Sequence, residues 1–293
     1  FNGYILSDTK HSLRKVAITF DDLPINSKMY RDTASRRRMS ARLLKTITLN
    51  KIPAVGFVNE KKLYRNERLD DGRVEILRMW IDAGLELGNH TYSHPDLHKT
   101  PLHVFKKDII RGEKVTKGLL KEKGKTLLYF RHPYLHTGRS LEIKHDLEEF
   151  LNDRGYIIAP VSIDNSEWIF ASAYEKASFR GDVQKAKRIV KAYVVYMKNM
   201  FTYYEKQSKD LFGYEIKQIL LLHANLLNAD HFDKLVIMMK KSEANLRRRV
   251  LRCPQCGGTN IYYENALITG YKYHCKDCDY MGALIIEEDI KEP

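Results

Sequence analysis

Cysteine is missing from the first 252 residues of this 293-residue chain, and all four cysteines fall at Cys253, Cys256, Cys275 and Cys278. The larger part of the chain therefore has no disulfide framework, and the clustering marks a compositional boundary. No apolar run approaches the roughly 20 residues that a membrane-spanning helix needs. There is no internal repeat and no low-complexity linker. No basic-then-apolar leader opens the chain at Phe1, so a signal sequence is expected to be either absent or already removed. Also missing is a basic stripe interleaved with aromatics. The formal charge of +13 is spread among acids on helix-like faces, as in "KKDIIRGEKVTKGLLKEKGK", which reads as solvated surface rather than a nucleic-acid footprint. Residues 253–293 carry 3 lysines against 7 acids, so the tail differs from the rest in charge as well.

What is present, from Val16 to about Ala224, is an alternation of short apolar runs and amphipathic segments, the pattern of βα repetition and a parallel sheet or barrel. The runs "KVAITF", "IPAVGFVN", "LELGN", "TLLYFR", "YIIAPVSI" and "QILLLH" read as strands. Helical periodicity covers residues 33–50, 72–83, 102–122, 141–154 and 182–209, with a further helix after residue 227. In the long 182–209 segment, Ile189, Tyr193, Met197, Met200 and Tyr204 recur near helical spacing, which reads as core. Unusual polar residues gather where strands end: Asp21 and Asp22, His90, Arg131, Asp164, and His223. In a βα barrel those C-terminal ends converge on one face, where such folds carry their chemistry.

Two adjacent carboxylates after a buried strand are costly unless something neutralises them. In "NHTYSH", His90 and His94 have the i, i+4 spacing that puts two imidazoles on one side of a helical turn, in a histidine-rich stretch that also holds His98 and His103. With Asp22 they make a His, His, Asp set suited to a divalent metal with open positions for water and substrate. Asp21 is then placed to accept a proton from the water that the metal acidifies, and His223 to give one to a leaving group. Arg131 is expected to hold Asp21 ionised through a bidentate contact, and Pro133 to stiffen the loop that presents Tyr134.

In order along the chain, "TFDD" (19–22), "HTYSH" (90–94), "RHPY" (131–134), "DNSEW" (164–168) and "LLH" (221–223) resemble the five motifs of the polysaccharide deacetylases, the NodB-homology family, across residues 14–240. The resemblance implies an α/β fold, a distorted (β/α) barrel with fewer than eight repeats. It implies a metal-dependent hydrolase that removes an N- or O-acetyl group, with an acetylated, amino-sugar-containing glycan as substrate. Asp22, His90 and His94 become the metal ligands, Asp21 the general base, His223 the general acid and Arg131 the residue that orients Asp21. The backbone N–H of Tyr134 joins the oxyanion site, and Trp168 and Leu221 line the acetyl pocket. Where the family has a second Asp in its fourth motif this chain has Glu167, so either Asp164 or Glu167 tunes His223. The same chemistry also serves non-glycan amides, as in relatives acting on cyclic ureides.

In the tail, "CPQC", 18 residues and "CKDC" match the paired knuckles of a four-cysteine zinc ribbon, with Gly257 suited to the turn after the first knuckle and Asp279 in the matching place of the second. An exported protein could make two disulfides instead, but paired CxxC knuckles around a β-like segment favour metal. Four thiolates leave no open position, so this zinc is expected to be structural, and the negative tail argues against nucleic acid as its partner. Residues 1–245 are expected to form the catalytic domain and 246–293 the ribbon. Export follows from the family resemblance, whereas a reduced four-thiolate site suits the cytoplasm. A non-catalytic zinc-ribbon interaction protein is the alternative from another class.

Overall fold

Local signals in the sequence set where each element starts. The computed structural model describes residues 15–247, 249–266, 270–282 and 285–289. Strand β1 (Val16–Leu23) buries Ile18, Phe20 and Leu23. Helix α1 (Thr33–Leu49) begins where the Asp32 carboxylate accepts the Ser35 N–H at 2.7 Å, and β2 (Ala54–Val58) follows. A small hairpin of β3 (Tyr64–Arg65) and β4 (Arg68–Leu69) leads to α2 (Asp71–Asp82), capped by Asp70 through the Arg73 N–H at 3.1 Å. After β5 (Glu86–Asn89) the single helix expected over 102–122 is in fact two, α3 (Leu102–Arg111) and α4 (Lys114–Glu122). The break falls at Gly112, where a Cβ would lie 2.4 Å from Thr91 C and Tyr92 N, so backbone passes against backbone there. Then come β6 (Tyr129–Phe130), α5 (Leu141–Asp153) with its Ser140 cap, and β7 (Ile157–Ile158). They are followed by α6 (Glu167–Phe179), α7 (Val183–Phe212), β8 (Gln218–His223) and α8 (Leu226–Arg247).

Six strands form one sheet in the order β7-β6-β5-β2-β1-β8, every neighbouring pair parallel. The sheet curls enough that the chain just past β7, at one edge, reaches β8 at the other. The Ser162 and Ile163 N–H groups donate to Ile219 O at 3.1 and 3.0 Å, and the Leu221 N–H donates to Ile163 O at 3.3 Å. This is the distorted (β/α) barrel with fewer than eight repeats that the motif resemblance implies, and it fits the parallel sheet or barrel read from the strand pattern. Phe20 meets Trp80 and Phe232 edge-on, with ring centroids 5.7 and 5.3 Å apart, and all three rings are buried between strands and helices. Full burial of side chains of this kind contributes about 1.5–3 kcal/mol each.

The chain divides into two compact units, one of Val16–Tyr204 with Gln218–Val236, the other of the described residues within 1–15, 205–217 and 237–293. The second unit contains two small antiparallel sheets. One pairs β9 (Arg249–Arg252) with β13 (Ile286–Asp289); the other comprises β10 (Ile261–Ala266), β11 (Gly270–Cys275) and β12 (Met281–Gly282). Residues 267–269 of the β-like stretch between the cysteine pairs lie outside the described residues. Among the described residues no helix is long and apolar enough to cross a membrane.

Candidate active site

In a regular strand Asp21 and Asp22 would point to opposite faces. The ladder between β1 and β2 slips between Phe20 and Leu23, and Asp22 takes a positive φ of 70°. This bulge turns both carboxylates into the mouth at the C-terminal ends of the strands. Asp21 lies directly across from His223 in the β1–β8 register.

His90 follows β5 and is buried. Its Nδ1 lies 2.8 Å from the Arg131 carbonyl oxygen, an acceptor only, so that nitrogen carries the proton and Nε2 keeps its lone pair. His94 is brought alongside by a loop, not by the helical turn that its spacing suggested. Thr91 and His94 have φ of 67° and 59°, and the Thr91 hydroxyl accepts the His94 N–H at 3.0 Å. The two imidazole centroids stand 4.8 Å apart, and candidate ligand atoms of Asp22, His90 and His94 all lie within 4.8 Å of one another. Burial pushes the His90 pKa well below the ordinary value and that of His94 downward, so both rings are neutral donors. Burial alone would raise Asp22, but Lys62 and the surrounding histidines lower it. Lys62 Nζ lies 3.0 Å from Asp22 Oδ1, and Asn26 Nδ2 donates to Oδ2 at 2.8 Å. Two neutral imidazoles and an ionised carboxylate fit a divalent cation.

The two groups flanking this trio are both raised, for different reasons. Burial raises Asp21 to about 6, against the opposing pull of Arg131 and His223. Burial would depress His223, but the bond to Glu167 and its charge outweigh that and lift the ring to about 9. The partner is Glu167, whose Oε2 lies 2.9 Å from His223 Nδ1, while Oε1 accepts from the side-chain amides of Asn225 at 2.5 Å and Asn228 at 2.9 Å. Asp164 instead turns to the neighbouring Asn165 N–H at 2.8 Å. The bidentate contact expected between Arg131 and Asp21 is absent among the described residues. Arg131 is fully buried, donates from Nη2 to the Thr19 hydroxyl at 3.1 Å and stacks 4.8 Å over the Phe57 ring, leaving Nε, Nη1 and Asp21 Oδ1 without partners. It acts on Asp21 through charge.

Asp21, Asp22, His90, His94, Tyr134, Asp164, Trp168, Leu221 and His223 all line one cavity of about 800 Å³. Tyr134, which has a positive φ of 58°, and Trp168 stand more than half exposed at its edges. Tyr196, Met200 and Tyr204 of α7 supply another wall. The stripe read as core along this helix therefore divides: Tyr193 and Met197 are buried, whereas Met200 and Tyr204 turn to the cavity. Tyr196 escaped the sequence reading, and its hydroxyl accepts the Ser166 N–H at 2.7 Å, one residue before Glu167. Lys62, Asn225 and Asn228 escaped it too, since no apolar period or motif singles them out. A groove of about 890 Å³ elsewhere, lined by residues of α6, α7 and α8, has Asp230 and His231 but no comparable set of converging ligands.

In the second unit the four cysteines converge. Cys253 and Cys278 Sγ lie 3.6 Å apart, as do Cys256 and Cys275, and all four are free thiols. These separations are far beyond a disulfide and near the roughly 3.8 Å between thiolates on a tetrahedral zinc with 2.3 Å bonds. Gly257 and Asp279 take matching φ of 71° and 58° after their knuckles.

A family model described as polysaccharide deacetylase matches residues 8–156, a span just over half the chain that contains the first three motif segments. Among solved structures, the fold is similar to that of the chitin deacetylase from the fungal pathogen Colletotrichum lindemuthianum, with TM-score 0.50 and 21% identity over 78% of this chain and 82% of that one. It is equally similar to a CE4 family pseudoenzyme from Bacillus anthracis, with TM-score 0.50 and 11% identity over 79% of this chain; the match spans 62% of that chain, less than two thirds. At such identities the likeness speaks to the fold, which agrees with the curled parallel sheet described above. Since the matched span carries β1 with its paired aspartates, the His90–His94 loop and Arg131, the chain belongs to the polysaccharide deacetylase family.

Proposed function

We propose that this protein is a metal-dependent deacetylase that hydrolyses an N- or O-acetyl group, with an acetylated amino-sugar glycan as substrate. The observation that carries the reading is geometric: Asp21 and His223 face each other across β1 and β8 at the mouth of one cavity, beside the Asp22, His90 and His94 donors. With both groups raised, Asp21 is mostly ionised and His223 protonated near neutral pH, the states that base and acid roles need. When bound by the three donors, a divalent ion supplies Lewis acidity that acidifies water and polarises an acyl oxygen. Asp21 removes a proton from the attacking water, helped by Arg131, whose charge keeps its carboxylate ionised. His223 donates a proton to the departing nitrogen or oxygen, held charged for this role by Glu167. The Tyr134 backbone N–H steadies the developing oxyanion, and Trp168 and Leu221 bound the space for the acetyl methyl. In net balance, water adds across the acyl bond to give acetate and a free amine or hydroxyl.

In this reading residues 1–245 are the catalytic domain and 246–293 a ribbon in which Cys253, Cys256, Cys275 and Cys278 bind structural zinc. The closely spaced Sγ atoms support that assignment. Acetate release from acetylated chito-oligosaccharides, measured together with metal content by elemental analysis, tests the reading. Asp21→Asn should abolish turnover and retain metal, whereas His90→Ala should lose turnover and one metal equivalent. Acetate release that survives either change overturns the assignment.

A further inference from the structure

Among the described residues, three groups bring at least three candidate ligand atoms within 4.8 Å of one another. Two are the Asp22, His90, His94 trio and the four cysteines. The third, Asp96, His98 and His136, has no part in the chemistry above. Asp96 and His98 lie just beyond His94, and His136 comes from the loop after β6, so two separate strand-end loops meet there. Asp96 Oδ1 accepts the His98 N–H at 2.9 Å, which pins the carboxylate, and lies 2.7 Å from His136 Nδ1. Lys99 Nζ is 3.5 Å from the other oxygen, Oδ2, leaving Oδ1 on the imidazole side.

A simple Asp–His hydrogen bond accounts for two of these residues and not for the third. The His98 and His136 rings are stacked face to face, with centroids 3.8 Å apart and an angle of 8° between planes. Stacking instead keeps His98 beside the Asp96–His136 pair, so that all three residues offer a ligand atom within 4.8 Å of one another, and a turn of one ring about its broad χ2 torsion aims both imidazoles at a common ion. We propose that Asp96, His98 and His136 form an additional site for a borderline divalent metal such as Zn²⁺ or Cu²⁺, for which two imidazoles and one carboxylate are a fitting donor set. Loading exchanges the Asp96–His136 hydrogen bond for coordination. His136 also lines the 800 Å³ cavity, and the Tyr134 ring stands 5.8 Å from His136 and 4.5 Å from His94. The site therefore sits on the cavity rim, one aromatic ring away from the first trio. With three protein donors on a partly exposed rim, it takes up and releases its ion more readily than the four-thiolate site.

The test is zinc stoichiometry of the full chain by equilibrium dialysis across a range of free Zn²⁺, for the wild type and for His98→Ala and His136→Ala. Each variant should lose one equivalent, the weakest in the series, whatever the occupancy of the other two sites. Cu²⁺ loaded at that site should show an electron paramagnetic resonance spectrum with two imidazole nitrogens in the wild type and one in each variant. Circular dichroism checks that both variants fold, and His98→Ala stands independently should His136→Ala not. Equal stoichiometry and superimposable isotherms in the wild type and a folded variant overturn the site. Because the readout is metal binding, the outcome does not depend on whether the protein deacetylates anything.

Discussion

Replacing Glu167 with Gln removes one charge from a carboxylate that the fold buries completely, and the consequence can be worked out from its partners. Gln keeps the shape, and its carbonyl oxygen can still accept from Asn225 and Asn228, as Glu167 Oε1 does. Its amide N–H groups then face His223 Nδ1, which must accept, so the ring is driven neutral. In the wild type His223 sits near 9, up from 6.5. That lift corresponds to about 3 kcal/mol in favour of the charged ring. At pH 8 a group titrating near 9 is about 90% protonated and one near 6.5 only about 3%. Glu167→Gln should thus lose at least about 30-fold in turnover at pH 8 through protonation alone, less than the roughly 10²–10⁴-fold that losing a general acid outright would remove.

The loss should shrink as pH falls, because acid restores the charge that Glu167 supplied. The assay is kcat for acetate release from pH 8 to pH 7, expressed as the ratio of variant to wild type; this range stays above the wild-type titration of Asp21 near 6, which moves up when His223 loses its charge. Stability provides the companion measurement on chelator-treated protein. A histidine raised from 6.5 to about 9 contributes stability that is fully present below 6.5 and is lost as pH climbs through 9. The wild type should lose about 3 kcal/mol over that window and the variant should stay nearly flat. A variant that keeps wild-type turnover at pH 8, or an Asp164→Asn variant that behaves as Glu167→Gln is expected to, would refute the reasoning.

Arg131→Met leaves the Asp21 carboxylate buried with its main compensating cation gone. Denaturant unfolding should show a loss of about 3–5 kcal/mol, and an unchanged midpoint would count against a charge role. Gly112→Ala places a Cβ 2.4 Å from the Thr91 and Tyr92 backbone, between His90 and His94. It should lower the unfolding temperature and weaken metal binding at the Asp22, His90, His94 donors together, as read by calorimetric titration; unaltered affinity would mean that the loop does not transmit the displacement. Cys278→Ser should release zinc from the ribbon, seen by elemental analysis after dialysis, and zinc retained in full would argue against a four-thiolate site.

How much of this was legible in the sequence follows from what each feature depends on. Strand β8 is an apolar run closed by His223, and β5 ends just before His90; position along the chain and burial suffice to place such residues at one mouth. The roles of neighbours depend on backbone torsion, which composition does not encode. Nothing in "TFDD" announces the slipped ladder and positive φ that swing Asp22 beside Asp21, and nothing in "HTYSH" distinguishes a helical turn from a loop with two left-handed residues. The i, i+4 spacing picked two imidazoles that the fold does bring together, 4.8 Å apart, but through a loop and not a helical turn.

The ambiguity between Asp164 and Glu167 is of the same kind, and its resolution shows what the fold adds. A carboxylate reaches His223 from whichever residue the start of α6 turns inward, and that start is fixed from a distance. The Tyr196 hydroxyl on α7 takes the Ser166 N–H, and Asn165 holds the other flank, its side-chain amide donating to Leu221 O at 2.8 Å and its side-chain oxygen accepting the Glu167 N–H at 3.0 Å. With both flanks tied down, the extra methylene of Glu is what spans the gap, and an Asp at 167 would fall short of Nδ1 unless the start of α6 moved. The substitution that looked like a departure from the family pattern is thus matched to the placement of α6, and that placement rests on Tyr196, a residue outside the stripe that helical spacing picked out along α7.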